Sequence, residues 1–184
     1  GMIFVNGTDG LWGAQLDLPR LPWLKKVVTE YLVTRNQSGP FHFIIFDHDK
    51  YQGPGGGGDD YYNNIEYITG SSYFGQGIGS PLLTSPQYNT TRVRAWHLAF
   101  EGDLSPMVSY RLRYTLMNSW GKPYAPFLDN KRSNSGQVEV KYRHPRLQGW
   151  EFTGAVAADA GSLYGDNVGF SLSVCKRGIL KSWK

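Results

Sequence analysis

The chain has 184 residues, a formal net charge of +4 and 23 glycines, and is 40% hydrophobic and 15% aromatic. That length suits a single domain over 1–184 with a sizeable core. The charge is too modest to indicate nucleic acid, and a lone Cys175 rules out an internal disulfide framework and Cys/His zinc spacing.

No apolar run reaches the roughly 18 residues of a transmembrane helix. A transmembrane β-barrel stays open, because its strands are only alternating segments of about ten residues. Leu11 to Leu18 alternates Trp12, Ala14, Leu16 and Leu18 against Gly13, Gln15 and Asp17, which predicts a strand. Pro19 and Pro22 end it. Trp23, Leu24, Val27, Val28, Tyr31 and Leu32 also fit helical spacing, but the β-branched and aromatic content favours a strand over 27–36. Gln37-Ser38-Gly39-Pro40 reads as a turn, and Phe41 to Phe46 as a strand apolar on nearly both faces.

Residues 47–90 form one long Gly/Tyr-rich loop insertion. Its Gly53-Pro54-Gly55-Gly56-Gly57-Gly58 run is too glycine-rich for regular structure, although a short strand near 64–69 fits. Thr91 to Glu101 alternates again, followed by a turn at Gly102 to Pro106. Val108 to Asn118 is the clearest strand, with Val108, Tyr110, Leu112, Tyr114 and Leu116 against Ser109, Arg111, Arg113 and Thr115. Ser119 to Asn134 reads as a polar connection.

Three further runs close the chain, at 138–143, 150–159 and 167–174. Their apolar parity is Val138, Val140, Tyr142, then Trp150, Phe152, Val156, then Val168, Phe170, Leu172, Val174. The other parity carries Glu139, Lys141, Arg143, Glu151, Thr153, Ser171 and Ser173. The expected fold class is therefore all-β: an antiparallel up-and-down barrel, or barrel fragment, of about eight strands. Short turns at 37–40, 102–106 and 144–149 alternate with mostly longer connections at 19–26, 47–90, 119–135 and 160–165, as in outer-membrane barrels. In a barrel the charged parity lines a lumen; in a soluble β-sandwich it is the solvent face.

Several segments resemble the capsule assembly protein Wzi family, in the form found in gut Bacteroidetes. They are Asn36-Gln37-Ser38-Gly39-Pro40-Phe41-His42-Phe43, Asp60-Tyr61-Tyr62-Asn63-Asn64, Tyr73-Phe74-Gly75-Gln76-Gly77-Ile78-Gly79-Ser80-Pro81-Leu82, Arg92-Val93-Arg94-Ala95-Trp96-His97-Leu98 and Tyr124-Ala125-Pro126. They follow in order from Asn36 to Pro126, within a resemblance that extends from about Gly10 to Gly178. The resemblance implies a bacterial outer-membrane β-barrel, in contact with membrane lipid, that binds capsular or other surface polysaccharide and supports capsule attachment without catalysis. Family members are more than twice this length, with roughly eighteen strands after a signal peptide. No signal peptide is found here, so the chain is expected to be the C-terminal half of such a barrel or a shortened relative.

Sugar binding needs flat aromatic faces beside hydrogen-bonding groups. The loops offer Tyr51, Tyr61, Tyr62, Asn63, Asn64, Tyr73, Trp120, Tyr124 and Tyr164; the same tyrosines also suit loop packing or an interfacial aromatic belt. On the charged parity, Arg111, Arg113, Lys141 and Arg143 are placed to attract acidic polysaccharide, or equally to pair with Glu139 and Glu151. Trp96 and Trp150 belong to the apolar parity and are expected in a core or against lipid. Two alternatives accompany the barrel. One is a soluble β-sandwich that binds carbohydrate through loop aromatics. The other is a polysaccharide hydrolase or lyase using Asp47, Asp49, Asp59 or Asp60 around His48, whose separation the sequence does not fix. No metal or cofactor is expected: Gly75-Gln76-Gly77-Ile78-Gly79 lacks the spacing and following helix of a dinucleotide loop, and no Walker Lys-Ser/Thr follows it.

Overall fold

In the computed structural model, which describes residues 9–36, 42–45, 52–56, 72–73, 76–77, 82, 90–122 and 126–178, every alternating run that falls on described residues is a strand. They are β1 (Gly10–Asp17), β2 (Lys26–Val33), β3 (His42–Ile45), β4 (Gln52–Gly56), β5 (Ser72–Tyr73), β6 (Gln76–Gly77), β7 (Val93–Ser105), β8 (Val108–Gly121), β9 (Pro126–Arg143), β10 (Trp150–Ala160) and β11 (Asn167–Lys176). Seven form one antiparallel up-and-down sheet in the order β1-β2-β7-β8-β9-β10-β11, which is not closed into a barrel. β3 pairs with β4 and β5 with β6 in two small separate sheets. The helical alternative over 23–35 is not taken.

Three expectations are corrected. β9 runs over 18 residues and begins inside the expected polar connection, so only residues 122–125 link it to β8. The 119–135 connection thus belongs mostly to strand, and the loop asymmetry rests on residues 34–92 alone. β7 continues through the expected turn to Ser105. β4 includes Gly53, Pro54, Gly55 and Gly56, because pairing with β3 supplies backbone hydrogen bonds that the side chains do not signal. The possible strand near 64–69 lies outside the described residues.

The chain divides into two compact units, one of Gly1–Trp12, Tyr31–Ala95 and Met117–Arg132, the other of Gly13–Glu30, Trp96–Leu116 and Ser133–Lys184. In the second unit the two faces of the sheet have opposite fates. Register aligns Val138, Val156 and Phe170 in one cross-strand row, and Tyr142, Phe152 and Val174 in another. These rows are exposed: Val156 at 56%, Phe170 and Leu172 at 84% each. Residues between them on the opposite face are more covered, including Glu139, Lys141, Thr153 and Ala155, while Glu151 is buried. In a water-soluble domain the apolar face is the one that is hidden. Here, among the described residues, the buried apolar side chains are small or few (Val33, Val93, Ala95, Met117, Ala155 and Leu163), and the large ones stand outward.

Residues 18–25 strap across β7 in the same unit. Lys25 N–H donates to Glu101 C=O (2.7 Å), and Asp103 N–H to Pro22 C=O (2.7 Å). The Tyr110 hydroxyl donates to Trp23 C=O at 2.6 Å, and Lys25 forms an ion pair with Asp103. Gly102 permits this approach, since a Cβ there would lie 2.1 Å from the Trp23 carbonyl oxygen.

Candidate functional site

Period-two geometry puts Glu101 and Asp103 of β7, Arg111 and Arg113 of β8, Gln137, Glu139, Lys141 and Arg143 of β9, and Glu151 of β10 on the covered face. The Arg111 guanidinium pairs with Glu101 and lies 3.6 Å from Glu139 Oε1. Arg113 Nη1 donates to Gln137 Oε1 at 2.5 Å. Lys141 Nζ is 3.1 Å from Glu151 Oε1, and Arg177 Nη2 is 3.7 Å from Glu151 Oε2. His97 Nδ1 and Thr115 Oγ1 share a hydrogen bond of 2.8 Å on the same face. Half-exposed ion pairs contribute only about 0–1 kcal/mol each, so their main effect is to cancel charge. Three of the four basic residues singled out from sequence are thus partnered. The fourth, Arg143, stands opposite Glu151 in register, and among the described residues its side chain makes no ion pair.

Two cavities open on this face and share Asp103, Ser109 and Lys141. One, of about 190 Å³, holds Lys25, Glu101, Arg111 and Glu139. The other, of about 230 Å³, lies by the β7–β8 turn and holds Arg143, Glu151 and Arg177. Arg177 is brought there by backbone: its N–H donates to Gly149 C=O at 2.9 Å. Gly149 has φ +89°, and a Cβ on it would sit 2.3 Å from the Arg177 carbonyl oxygen. Sequence reasoning missed Arg177, which lies beyond the last alternating residue, and Asp103, assigned to a turn. Continuing the β7 parity through Glu101, Asp103 and Ser105 is the signal that finds the latter.

In the first unit, Trp120 does not present a bare ring. The Arg35 guanidinium carbon lies 4.1 Å from its centroid and that of Arg94 5.5 Å, in cation–π range. Arg92 Nε donates to Arg35 C=O at 3.3 Å. The Arg92 guanidinium is held below its ordinary value, first by burial and then by the Arg35 cation, with Asp9 acting the other way. Strand ends fix the cluster: Arg92 N–H donates to Gly121 C=O and Trp120 N–H to Arg92 C=O, at 3.0 and 2.9 Å. Thr34 Oγ1 donates to Thr91 C=O (2.6 Å) and accepts from Val93 N–H (3.0 Å).

Of the remaining predicted site residues, Tyr51, Tyr61, Tyr62, Asn63, Asn64 and Tyr124 lie outside the described residues, as do Asp47, His48, Asp49, Asp59 and Asp60. Tyr73 is in β5, opposite Gln76. Tyr164, in the 161–166 turn, has a buried hydroxyl with no hydrogen-bond partner among the described residues. Burial, then the Asp159 charge, pushes its phenol up to about 12. A raised value means stability that is fully present below the ordinary phenol value of about 10 and lost as pH climbs through the folded value. In an ultraviolet titration we expect one late-ionising group near pH 12 among the twelve tyrosines. Tyr164→Phe should remove that last step; a step that persists in the variant assigns it to another residue.

No family model, curated protein or solved structure matches this chain.

Proposed function

We propose that this chain is part of a non-enzymatic outer-membrane β-barrel that binds surface polysaccharide and supports capsule attachment. One observation carries the membrane reading: the apolar residues of β9, β10 and β11 are outward and exposed, while in β9 and β10 the charged face is the more covered one. That is the arrangement of a strand with lipid on one side and a polar interior on the other. Strand lengths agree, since β10 has 11 residues and β11 has 10, against the roughly 9–11 that cross a bilayer obliquely. Tyr142 and Trp150 flank the 144–149 turn, and Lys176 Nζ lies 5.9 Å from the Trp150 ring centroid, a pairing suited to a membrane–water interface.

The sheet edges favour a larger assembly. β1 and β11 are exposed on both faces. In an up-and-down sheet of seven strands the first and last run in the same direction, so they cannot close antiparallel on each other. Antiparallel closure takes an odd number of further strands, and neither edge carries the proline or lysine-rich protection expected of a strand left open to water. The polysaccharide part of the proposal is supported by the resemblance to the capsule assembly family and by the charged cavities on the covered face.

Detergent partition and heat-modifiable gel mobility test the membrane reading. The folded chain should enter the detergent phase and migrate differently before and after boiling. A monomer that stays in the aqueous phase, with unchanged mobility, eliminates it in favour of a soluble carbohydrate-binding sandwich.

A further inference from the structure

The two neighbouring cavities differ in how their charges are used. Around the first, Lys25, Arg111 and Lys141 stand against Glu101, Asp103 and Glu139, with each acid engaged by a base. Around the second, Lys141, Arg143 and Arg177 face Asp103 and Glu151, and Asp103 is already held by Lys25. That leaves three cations around the single carboxylate of Glu151, which Lys141 engages through Oε1. Glu151 is nine-tenths buried, its side chain 6% exposed, yet its Oε2 accepts no hydrogen bond among the described residues; Arg177 at 3.7 Å is too far to donate one. A buried acceptor without a donor is destabilising.

We infer that the cavity between the 106–107 turn and Arg177 binds one uronic-acid unit of an acidic polysaccharide. The ligand must bring an anion for Arg143 and Arg177 and a donor for Glu151. A uronic acid has both, as a carboxylate and neighbouring hydroxyls. Arginine's planar fork matches a carboxylate, and Glu151 accepts a ring hydroxyl. A sulfate satisfies the arginines but has no proton to donate to Glu151. At about 230 Å³ the cavity is below the roughly 300–1,000 Å³ of drug-sized sites, which fits a single sugar rather than a run of them. The inference names the sugar class for the polysaccharide-binding reading and rests on that reading, but not on membrane embedding.

The test is calorimetric titration of the refolded full chain in detergent micelles with oligogalacturonate, with a neutral malto-oligosaccharide, and with glycerophosphoethanolamine as a soluble lipid headgroup. Oligogalacturonate should bind, weaken with added salt, and lose about tenfold in affinity in Arg177→Gln and again in Arg143→Gln. Both side chains are exposed enough to change without unfolding, and gel mobility checks each variant. Equal binding of both glycans, or acid binding unaffected by either substitution, overturns the uronate site and leaves the polysaccharide reading standing. If neither glycan binds, both fall. Tighter, Arg177-dependent binding of glycerophosphoethanolamine makes this a headgroup site and overturns the sugar assignment.

Discussion

Phe170→Arg is expected to abolish insertion of the refolded protein into lipid vesicles, while Ser171→Arg, one residue away, leaves insertion nearly unchanged. Both residues lie in β11 and are exposed, so they share the same edge and the same backbone environment. They differ in face. Phe170 is in the row of Val156 and Val138, and Ser171 in the row of Ala155 and Glu139. An arginine on the lipid face near mid-bilayer costs about 2–4 kcal/mol, against little on the lumen side. That is a loss of roughly 30- to 1,000-fold in the folded, inserted population. Val156→Arg, in the interior strand β10, should behave like Phe170→Arg and add to it. The readout is the heat-modifiable band after vesicle refolding. Should Phe170→Arg insert as well as Ser171→Arg, the exposed face is not in lipid, and the membrane part of the proposal fails with it.

The same parity made much of the fold legible in advance. Where one side of a strand is apolar and the other polar, a two-residue period marks both the strand and its faces, as in β8, β10 and β11. It fails where neither side is apolar. The first part of β9 reads Asp129, Asn130, Lys131, Arg132, Ser133, Asn134, which carries no alternation and passes for a loop. The backbone ladder that makes it a strand is indifferent to side-chain polarity. Gly102-Asp103 passes for a turn for a different reason, since the glycine is there to admit a neighbouring backbone. On the charged face, pairing of Arg111 with Glu139 and of Lys141 with Glu151 follows from shared parity on adjacent strands. Arg177 does not, because a left-handed glycine and one backbone hydrogen bond place it. Nor does the Arg35–Trp120–Arg94 cluster, whose members are distant in sequence and meet only when strand ends pair. Local period reaches faces and neighbouring strands; it carries no information about contacts closed by turns or by long connections.

Gly102→Ala should destabilise the folded state by on the order of 3 kcal/mol. The reason is space rather than backbone freedom. The new Cβ would meet the Trp23 carbonyl oxygen at 2.1 Å and its carbon at 2.5 Å, both main-chain atoms that no rotamer change can move. Relief requires the 18–25 strap to lift from β7. That breaks the Lys25–Glu101 and Asp103–Pro22 backbone bonds, the Tyr110 hydroxyl bond to Trp23, and the Lys25–Asp103 ion pair. Two other strand glycines serve as controls. A Cβ at Gly154 finds its nearest neighbour at 3.6 Å, on the flexible Leu172 side chain, and one at Gly169 finds nothing within 4 Å. Gly169→Ala should be neutral or stabilise by up to about 1 kcal/mol through the unfolded chain. The denaturation midpoint ranks the three, and trypsin cleavage at Lys25 and Lys26 reports the strap directly. A Gly102→Ala protein as stable and as protease-resistant as Gly169→Ala would mean that the strap does not pack against β7. Asp103, which lines both cavities, would then lose the anchor that fixes it there.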